Sequence, residues 1–443
     1  MIFSSIEFII FFLVFILALK LFKQNQRNII IIFSLVFYSF WNFFFVLLIL
    51  YFCVLTFFLI KKNVRIGLGV FLLLLPLIYF KYSNFIVTTF GLKLFSNFVY
   101  EDEIPLAISF ITFTAIASII DVKNKIFDRH SINFFSITEF ILFFPQLIAG
   151  PILRLSELFP KLQNKIIFSK ENIKFGLILF LIGFTKKVFI ADNIAEIIDP
   201  IFLNPDDFSS EYLFRSFLLF PLQIYYDFSG YIDMALGASI ILGIELPINF
   251  NKPYLTYSLT EFWRNWHITL SKWFKDYVYI PLGGSRNSKV KTYINLIITM
   301  SIAGLWHGAS LNFIIWGFLN GVILCLERIF NFYNSRSILR IIVNCFIIFN
   351  LWIVFRITEM KNFIIYYTKL YGSILELFNL ENLLIILIVV IVIVSQKFEN
   401  FLTIKNFSKK TNITFVIIFF IFVILSGLGI SVGRSEKFIY FQF

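Results

Sequence analysis

The sequence predicts an all-α integral membrane protein that crosses the bilayer many times. Hydrophobic residues make up 59% of the 443 residues and charged residues only 14%, whereas soluble domains are about 45–50% apolar and about one quarter charged. Apolar stretches near the length of a spanning helix recur from residue 5 to residue 431. Basic loops alternate with them, which predicts about eleven or twelve transmembrane helices in a single membrane domain covering residues 1–443.

Lysines and arginines mark the loops that we assign to the cytoplasm, because positive charge is retained on that side of the membrane. These loops are 20–27, 61–65, 123–129, 161–174, 250–291, 328–340 and 397–410. The acidic stretches at 98–105, with Glu101, Asp102 and Glu103, and at 190–211 then lie outside, as do both termini. The net charge of +12 is explained by these loops and does not indicate nucleic acid binding.

Two apolar segments do not fit a regular spanning helix. The segment 137–152 lies between two basic loops and contains Pro145, Gly150 and Pro151, which interrupt helices. It predicts a re-entrant or broken element that is buried within the protein, since irregular backbone is not tolerated in contact with lipid. In 212–250, two apolar pieces meet at the sequence YYDFSGYIDM, and the number of crossings there is left open.

The stretch 258–278 predicts an amphipathic helix at the cytoplasmic side. Its apolar residues fall on one stripe and its charged residues on the opposite side. The stripe comprises Leu259, Phe262, Trp263, Trp266, Leu270, Trp273, Phe274 and Tyr277. We interpret the stretch as an interfacial helix whose indoles lie where membrane meets water. His267 lies at the edge of this stripe, where a surface histidine and a functional histidine both fit the spacing.

The sequence GLWHGAS, residues 304–310, predicts a turn deep in the membrane or toward its outer face. It separates two apolar segments whose far ends both lie in basic loops. An ionisable residue at this depth is costly and indicates function, although a neutral histidine that joins helices by hydrogen bonds is the alternative. A proton carrier suits His307, because a buried imidazole is neutral near pH 7 and can accept a proton.

Other polar residues carry weaker signals. Asp227 and Asp233 lie in an apolar stretch and can form a polar network beside a channel or pair with a buried arginine. Arg286, Lys289 and Lys291 follow the turn PLGGSR, and together with exposed backbone N–H groups they can hold phosphates. A solvated cytoplasmic loop is the commoner meaning of such a run.

Several classes of function lack their usual motifs. The chain has no G-x-S-x-G elbow, no H-E-x-x-H and no Walker loop, so hydrolase and NTPase chemistry are not indicated. Cys53, Cys325 and Cys345 lie in apolar runs without metal-ligand spacing, so neither disulfides nor a metal cluster are expected. Besides His307, only His130 and His267 remain as histidine ligands, and both are assigned to the cytoplasmic side.

Seven stretches in order along the chain resemble the membrane-bound O-acyltransferase (MBOAT) family, in the branch of the alginate (AlgI) and peptidoglycan (PatA-like) O-acetyltransferases. They are 104–122, 144–154, 183–195, 225–254, 262–286, 304–310 and 438–443. The resemblance implies the MBOAT fold and transfer of an acetyl group from cytoplasmic acetyl-CoA across the bacterial inner membrane. It also implies a periplasmic acetyltransferase partner that modifies a cell-envelope polysaccharide such as peptidoglycan or alginate.

The resemblance assigns roles to individual residues. His307 matches the active-site histidine of the family, and His267 matches the second histidine of this branch, on the cytoplasmic side. Trp306 and Asn320 are assigned, with the two aspartates, to the tunnel and its polar network. The branch usually has a histidine where Asn320 stands and a glycine where Ala107 stands, so no role of a third histidine transfers to this chain.

The expected mechanism is general base catalysis without a metal. His307 deprotonates an acceptor hydroxyl as this attacks the thioester carbonyl of acetyl-CoA, while His267 gates donor entry, orients the acyl group or relays protons. One alternative is acyl transfer of the teichoic acid D-alanyltransferase (DltB) type, whose donor is a carrier protein. The other is a proton-coupled transporter or flippase with His307, Asp227 and Asp233 as proton relay, which an inverted repeat would support, and none is seen in the sequence.

Overall fold

The computed structural model describes residues 1–92, 99–100, 103–147, 150–286, 288–331, 336–372 and 379–431. In these ranges the regular structure consists of helices, without a β-strand, and the all-α prediction is confirmed. The predicted outer residues Glu101 and Asp102 and the ending 438–443 lie outside the described residues.

The α-helices are numbered in chain order. They are α1 (Ile6–Leu21), α2 (Gln26–Ser39), α3 (Phe45–Lys61), α4 (Ile66–Leu77), α5 (Ser83–Phe90), α6 (Ile108–Lys123), α7 (Phe134–Leu142), α8 (Phe144–Leu147), α9 (Leu155–Leu162), α10 (Lys170–Phe184), α11 (Asp192–Leu203), α12 (Ser210–Ile241), α13 (Leu259–Asn265), α14 (Ile268–Phe274), α15 (Lys289–His307), α16 (Leu311–Ile329), α17 (Ile338–Arg356), α18 (Met360–Gly372), α19 (Leu380–Ser395), α20 (Phe401–Lys410) and α21 (Ile413–Ser431). Segments of π-helix occupy Ile78–Tyr82, Thr185–Ala191 and Lys275–Tyr279. Short 3-10 turns occupy Arg129–Ser131, Pro205–Asp207 and Pro253–Leu255.

Length and composition single out the helices that can cross a membrane. Among the described residues these are Ile66–Phe90, Leu311–Ile329 and Ile338–Arg356, with a fourth if Phe401–Lys410 and Ile413–Gly429 count as one span. Shorter apolar helices are Gln26–Ser39, Phe45–Lys61 and Leu380–Ser395. The protein is an integral membrane protein with several apolar helices, and the count of about eleven or twelve crossings and their orientation stay predictions.

Apolar side chains cover the surface of α19, which supports the expected contact with lipid. Leu384, Leu387, Ile388 and Ile391 are 51–58% exposed, although each is fully aliphatic. In water such a contiguous apolar surface marks an interaction site. For a helix of this composition, the hydrocarbon core of a bilayer is the matching environment.

The chain folds into two compact units, each assembled from separate stretches. The first unit comprises Met1–Leu181, Tyr231–Pro247 and Thr411–Leu428. The second unit comprises Ile182–Gly230, Ile248–Lys410 and Gly429–Phe443. Both candidate histidines, His267 and His307, belong to the second unit, and the single membrane domain over the whole chain stays a prediction.

Phenylalanines form the core of the first unit around the segment that was predicted to be broken. Phe144 of α8 contacts Phe11, Phe15 and Phe37 at ring-centroid distances of 5.4, 5.2 and 5.4 Å. The chain leaves the helical conformation at Phe143, between α7 and α8, and both phenylalanines at this break are fully buried. The predicted broken and buried element is confirmed in its described part, and residues 148–149 lie outside that part.

One long helix, α12, runs through the region in which the number of crossings was left open. It continues for 32 residues without interruption at YYDFSGYIDM, so the two apolar pieces that meet there belong to one helix. Two polar residues in its middle have partners within the protein: the Tyr225 hydroxyl donates to Glu399 Oε2 at 2.9 Å, and Asp227 pairs with Lys187. The polar side chains therefore lower the local hydropathy, while the backbone stays helical.

Candidate active site

His307 is the last residue of α15, at the turn that leads into α16. The two helices approach each other through glycines: a Cβ atom on Gly304 would overlap the carbonyl oxygen of Phe313, and one on Gly317 would overlap that of Met300. Small residues at a helix contact allow the backbones to come together in this way. The end of α15 is therefore fixed by backbone contact, which sets the position of the histidine.

Aromatic rings surround the imidazole of His307. The ring centroids of Trp306, Trp316 and Phe355 lie 4.9, 5.3 and 5.2 Å from that of His307, each close to perpendicular to it. The side chain is only 6% exposed. The aromatic cage, as we call these three residues, shields the imidazole from water.

His267 lies in a break between α13 and α14, so the prediction of one continuous helix over 258–278 is wrong. Its backbone has φ 42° and ψ 55°, a left-handed conformation that non-glycine residues rarely adopt. The break is stabilised by the loop before α13, where Asn249 Oδ1 accepts hydrogen bonds from Thr269 N at 2.9 Å and Thr269 Oγ1 at 2.8 Å. The Asn249 carbonyl also accepts from Ile268 N at 3.0 Å.

The apolar stripe of 258–278 contacts other parts of the protein. Phe262, Trp266 and His267 are each 1% exposed, so the interpretation of an interfacial helix with a surface histidine is wrong for these residues. Trp266 packs against Trp352 of α17 at 4.8 Å between ring centroids. The stretch is amphipathic as predicted, since Arg264 on the opposite side is exposed. Its apolar side, however, packs against other helices of the protein and not against the membrane surface.

The two histidines share one neighbour, the indole of Trp306. The ring centroid of Trp306 lies 4.9 Å from that of His307 and 6.2 Å from that of His267. On another side, His267 contacts Phe228 of α12 edge-to-face at 4.8 Å. The structure therefore brings together three of the residues that the sequence selected, His267, Trp306 and His307, in a single buried aromatic cluster.

Burial determines the charge of His267, which lies outside the helices that qualify as membrane spans. Desolvation lowers the pKa of this imidazole from its usual value to about 3. The positively charged form is disfavoured because no water reaches it. His267 is thus a neutral imidazole near pH 7, which suits orientation of an acyl group better than uptake of a proton.

Asn320 of α16 is joined to the aromatic cage by hydrogen bonds. Its Oδ1 accepts from Trp263 Nε1 at 3.1 Å, and its Nδ2 donates to the carbonyl of Trp316 at 2.8 Å. Trp263 in turn lies edge-to-face on Trp316, with 5.7 Å between ring centroids. The asparagine at this position therefore connects α13 to the wall of the site through an indole N–H group.

The two aspartates assigned to the polar network are in different places. Asp227 belongs to the second unit and forms a buried ion pair with Lys187 Nζ at 2.6 Å, and the same ammonium contacts Asp192 at 2.7 Å. The partner is a lysine and not the arginine that was considered. Asp233, half-buried on the same helix, belongs to the first unit.

The basic residues proposed for donor binding are exposed to solvent. Arg286, Lys289 and Lys291 are all exposed, the first in a turn and the other two in the first turn of α15. The backbone N–H groups of Gly283, Gly284 and Arg286 donate to carbonyls within that same turn. These three donors are therefore used within the turn, and the binding of phosphates by Arg286, Lys289 and Lys291 stays a prediction.

One residue that sequence reasoning missed is Glu327, near the end of α16. It is 6% exposed, and its carboxylate accepts hydrogen bonds from the backbone N–H groups of Leu259 and Thr260 at 2.5 and 3.0 Å. A carboxylate in this position satisfies the free donors at the start of α13 and interacts favourably with the helix dipole. The signal was a lone acidic residue at the end of an apolar run, ILCLE.

The potential metal ligands of the site described so far are the two histidines His267 and His307. The described residues contain no group of three or more His, Cys, Asp or Glu side chains that could hold a metal ion. The chemistry available in the cluster is that of imidazoles, indole N–H groups and apolar rings.

These features define an all-helical membrane protein in which a buried histidine, His307, is enclosed by aromatic rings at the turn between two helices. A model of the MBOAT, membrane-bound O-acyltransferase family matches residues 33–368. The chain belongs to this family, and it is an acyltransferase of the membrane. Membership of an enzyme family speaks against the transporter alternative.

Proteins with assigned names show what the chain is similar to. It is 37% identical to the "Probable alginate O-acetylase AlgI" of Pseudomonas aeruginosa, over 82% of this chain and 73% of that protein. It is 39% identical to the "Peptidoglycan O-acetyltransferase" of Helicobacter pylori, over 67% of this chain and 63% of that protein. Similarity to the "Teichoic acid D-alanyltransferase" of Streptococcus thermophilus is lower, 28% identity over 58% of this chain and 62% of that protein.

Proposed function

We propose that the protein is an O-acetyltransferase of the bacterial inner membrane that carries an acetyl group from cytoplasmic acetyl-CoA toward a cell-envelope polysaccharide. The observation that supports this most is the burial of His307 in the aromatic cage, whose Trp306 also contacts a second, neutral histidine. The names of the relatives at 37% and 39% identity favour acetyl as the group and a glycan as its destination. A periplasmic acetyltransferase partner completes the transfer to a glycan such as peptidoglycan or alginate.

In the proposed reaction His307 acts first as a base and then as an acid. One imidazole nitrogen takes the proton of the acceptor hydroxyl while the oxygen forms a bond to the thioester carbonyl carbon. The tetrahedral intermediate collapses, the C–S bond breaks, and the CoA thiolate takes the proton back from the imidazolium. Such a base contributes about 10²–10⁴-fold in rate, so positioning and stabilisation of the oxyanion have to supply the rest.

His267 and the exposed basic residues have supporting roles in this proposal. The neutral imidazole of His267 orients the acyl group or controls donor entry on the cytoplasmic side of Trp306. Arg286, Lys289 and Lys291 attract the phosphates of acetyl-CoA from the cytoplasm by charge alone. Asp227 is held in an ion pair with Lys187, which keeps the middle of α12 in place, and takes no part in proton transfer.

The test is acetyl transfer in membranes that contain the full chain together with its partner, using radiolabelled acetyl-CoA. We expect label in the glycan or the partner protein with the wild type and none with His307→Ala. His130→Ala is the matched control, because His130 is the exposed histidine of a 3-10 turn outside the site, and it should leave labelling unchanged. Full labelling by His307→Ala at equal expression refutes the proposal, as does substrate flux across the membrane without label.

A further inference from the structure

Trp316 presents a hydrogen-bond donor that no described part of the protein uses. The residue is 1% exposed, and within the described part of the chain its Nε1 atom has no hydrogen-bond partner. Buried donors are nearly always paired, because an unpaired one loses its bond to water without replacement. An indole N–H left unpaired next to a reactive group is therefore a candidate for a bond that forms only with substrate.

The position of this indole fits such a bond. Trp316 forms one wall of the aromatic cage, with its ring centroid 5.3 Å from that of His307 and the two planes 88° apart. A hydroxyl that His307 deprotonates has to lie within hydrogen-bond distance of the imidazole. The thioester carbonyl that it attacks then lies in the same small space, within reach of the neighbouring ring.

The ring is also fixed in orientation, which a useful donor requires. Trp316 stacks on Trp352 with 6.0 Å between ring centroids and an interplanar angle of 20°, and it contacts Phe355 at 5.2 Å. Trp263, held by Asn320, covers it edge-to-face. A donor that is held by packing before the reaction loses no free energy to reorganisation when negative charge develops.

We propose that the Trp316 indole N–H donates a hydrogen bond to the oxygen of the thioester carbonyl as it becomes an oxyanion. When the acceptor oxygen bonds to the carbonyl carbon, the π electron pair moves onto the carbonyl oxygen and Nε1–H stabilises it. Collapse returns that pair, breaks the C–S bond and releases CoA as its thiol, with the proton supplied by His307. This inference rests on the proposed function and adds a catalytic residue to it.

The experiment compares Trp316→Phe with Trp352→Phe in the full chain, using acetyl transfer and thermal unfolding. Trp352 is the matched control because its Nε1 donates to the Tyr254 hydroxyl at 3.2 Å in the same aromatic cluster. Loss of one oxyanion donor lowers kcat by about 10²–10³-fold, and we expect this for Trp316→Phe with an unchanged KM for acetyl-CoA. Trp352→Phe breaks a made hydrogen bond, so it should lose more thermal stability and less than about tenfold in kcat.

Different outcomes separate the inference from the function on which it rests. If His307→Ala is inactive and Trp316→Phe has the kcat of the wild type, or no lower kcat than Trp352→Phe, the indole is not an oxyanion donor. If His307→Ala is active, the proposed function itself fails. Should Trp316→Phe not fold, a tryptophan analogue with sulfur in place of the ring N–H keeps the size of the side chain, and its kcat decides in the same way.

Discussion

The two buried histidines are placed by opposite means. His307 ends a regular helix, and its position follows from the backbone contact between α15 and α16 at Gly304 and Gly317. His267 lies in a helix break with a left-handed backbone and depends on Asn249, from a separate loop, for its surroundings. One is fixed by packing and the other by backbone conformation, so the two sites should respond to different substitutions.

The largest effect is expected from a substitution that disrupts the backbone contact between α15 and α16, which positions His307. In Gly304→Ala, the added Cβ overlaps the Phe313 carbonyl, and backbone cannot move aside as a flexible side chain can. We expect a loss of about 1–3 kcal/mol in stability and of most acetyl transfer, because His307 moves with the end of α15. Gly67→Ala in α4 is the control, since no atom lies within 4 Å of its Cβ position. Equal activity and thermal unfolding of the two variants would contradict the role of backbone contact.

The second effect is a dependence of stability on pH that is expected from His267 and not from the packing of α15 against α16. Burial lowers the pKa of His267 to about 3 in the folded protein, whereas the unfolded chain binds a proton near the ordinary value of about 6.5. Above about pH 6.5 the imidazole is neutral in both states, and the free energy of unfolding is not reduced. As the pH falls from there toward the pKa of the folded protein, the unfolded chain gains the proton and the free energy of unfolding decreases by roughly 1 kcal/mol per pH unit. Thermal unfolding between about pH 7 and pH 5 should show this slope.

The pH prediction has two controls. His267→Asn removes the titrating group, so its unfolding temperature should depend less on pH over the same range. His130→Ala removes an exposed histidine and should keep the slope of the wild type. A slope that is equal in the wild type and in His267→Asn would show that other groups cause it.

The smallest expected effect concerns the backbone of His267 alone. Both His267→Ala and His267→Asn lose the imidazole, but asparagine tolerates the left-handed conformation that alanine avoids. We expect His267→Asn to be more stable than His267→Ala by about 1 kcal/mol in denaturant unfolding. His267→Gly accepts the same conformation without a polar side chain and should also exceed alanine. If alanine is the most stable of the three, φ 42° is not a constraint at this position.

The features that could be predicted from the sequence depend on residues that lie close together in the chain. His307 was recognisable because an ionisable residue inside an apolar run needs a reason, and the broken segment around Phe143 was recognisable from its prolines and glycine. The all-helical fold class followed from the apolar composition, because the backbone N–H and C=O groups of a segment inside a bilayer have to form hydrogen bonds with each other. Each of these inferences uses residues that are neighbours in the chain.

What could not be predicted depends on partners far away in the chain. The break at His267 exists because Asn249 supplies acceptors to the start of α14. In the middle of α12, Asp227 is paired with Lys187, which is distant in the chain. Periodicity predicts a single helix for 258–278, and it gives no sign of the tertiary hydrogen bonds of Asn249 or of the lysine partner of Asp227.

The unpaired N–H of Trp316 was equally beyond a sequence argument. A tryptophan in an apolar helix is ordinarily a large core residue whose N–H finds a partner. In the folded protein, Trp263 and Trp352 form such bonds, whereas Trp316 forms none among the described residues.

Backbone contact between α15 and α16 limits how molecules reach and leave the histidine. Helices that touch at glycine cannot separate there by turning a side chain, so this part of the boundary stays rigid during turnover. The ring of Phe355, which contacts His307 from another side, is a side-chain boundary, and rotation about its side-chain bonds can open the site while Trp316 stays fixed. A substitution that slows the rotation of this ring would limit product release without touching the chemical step.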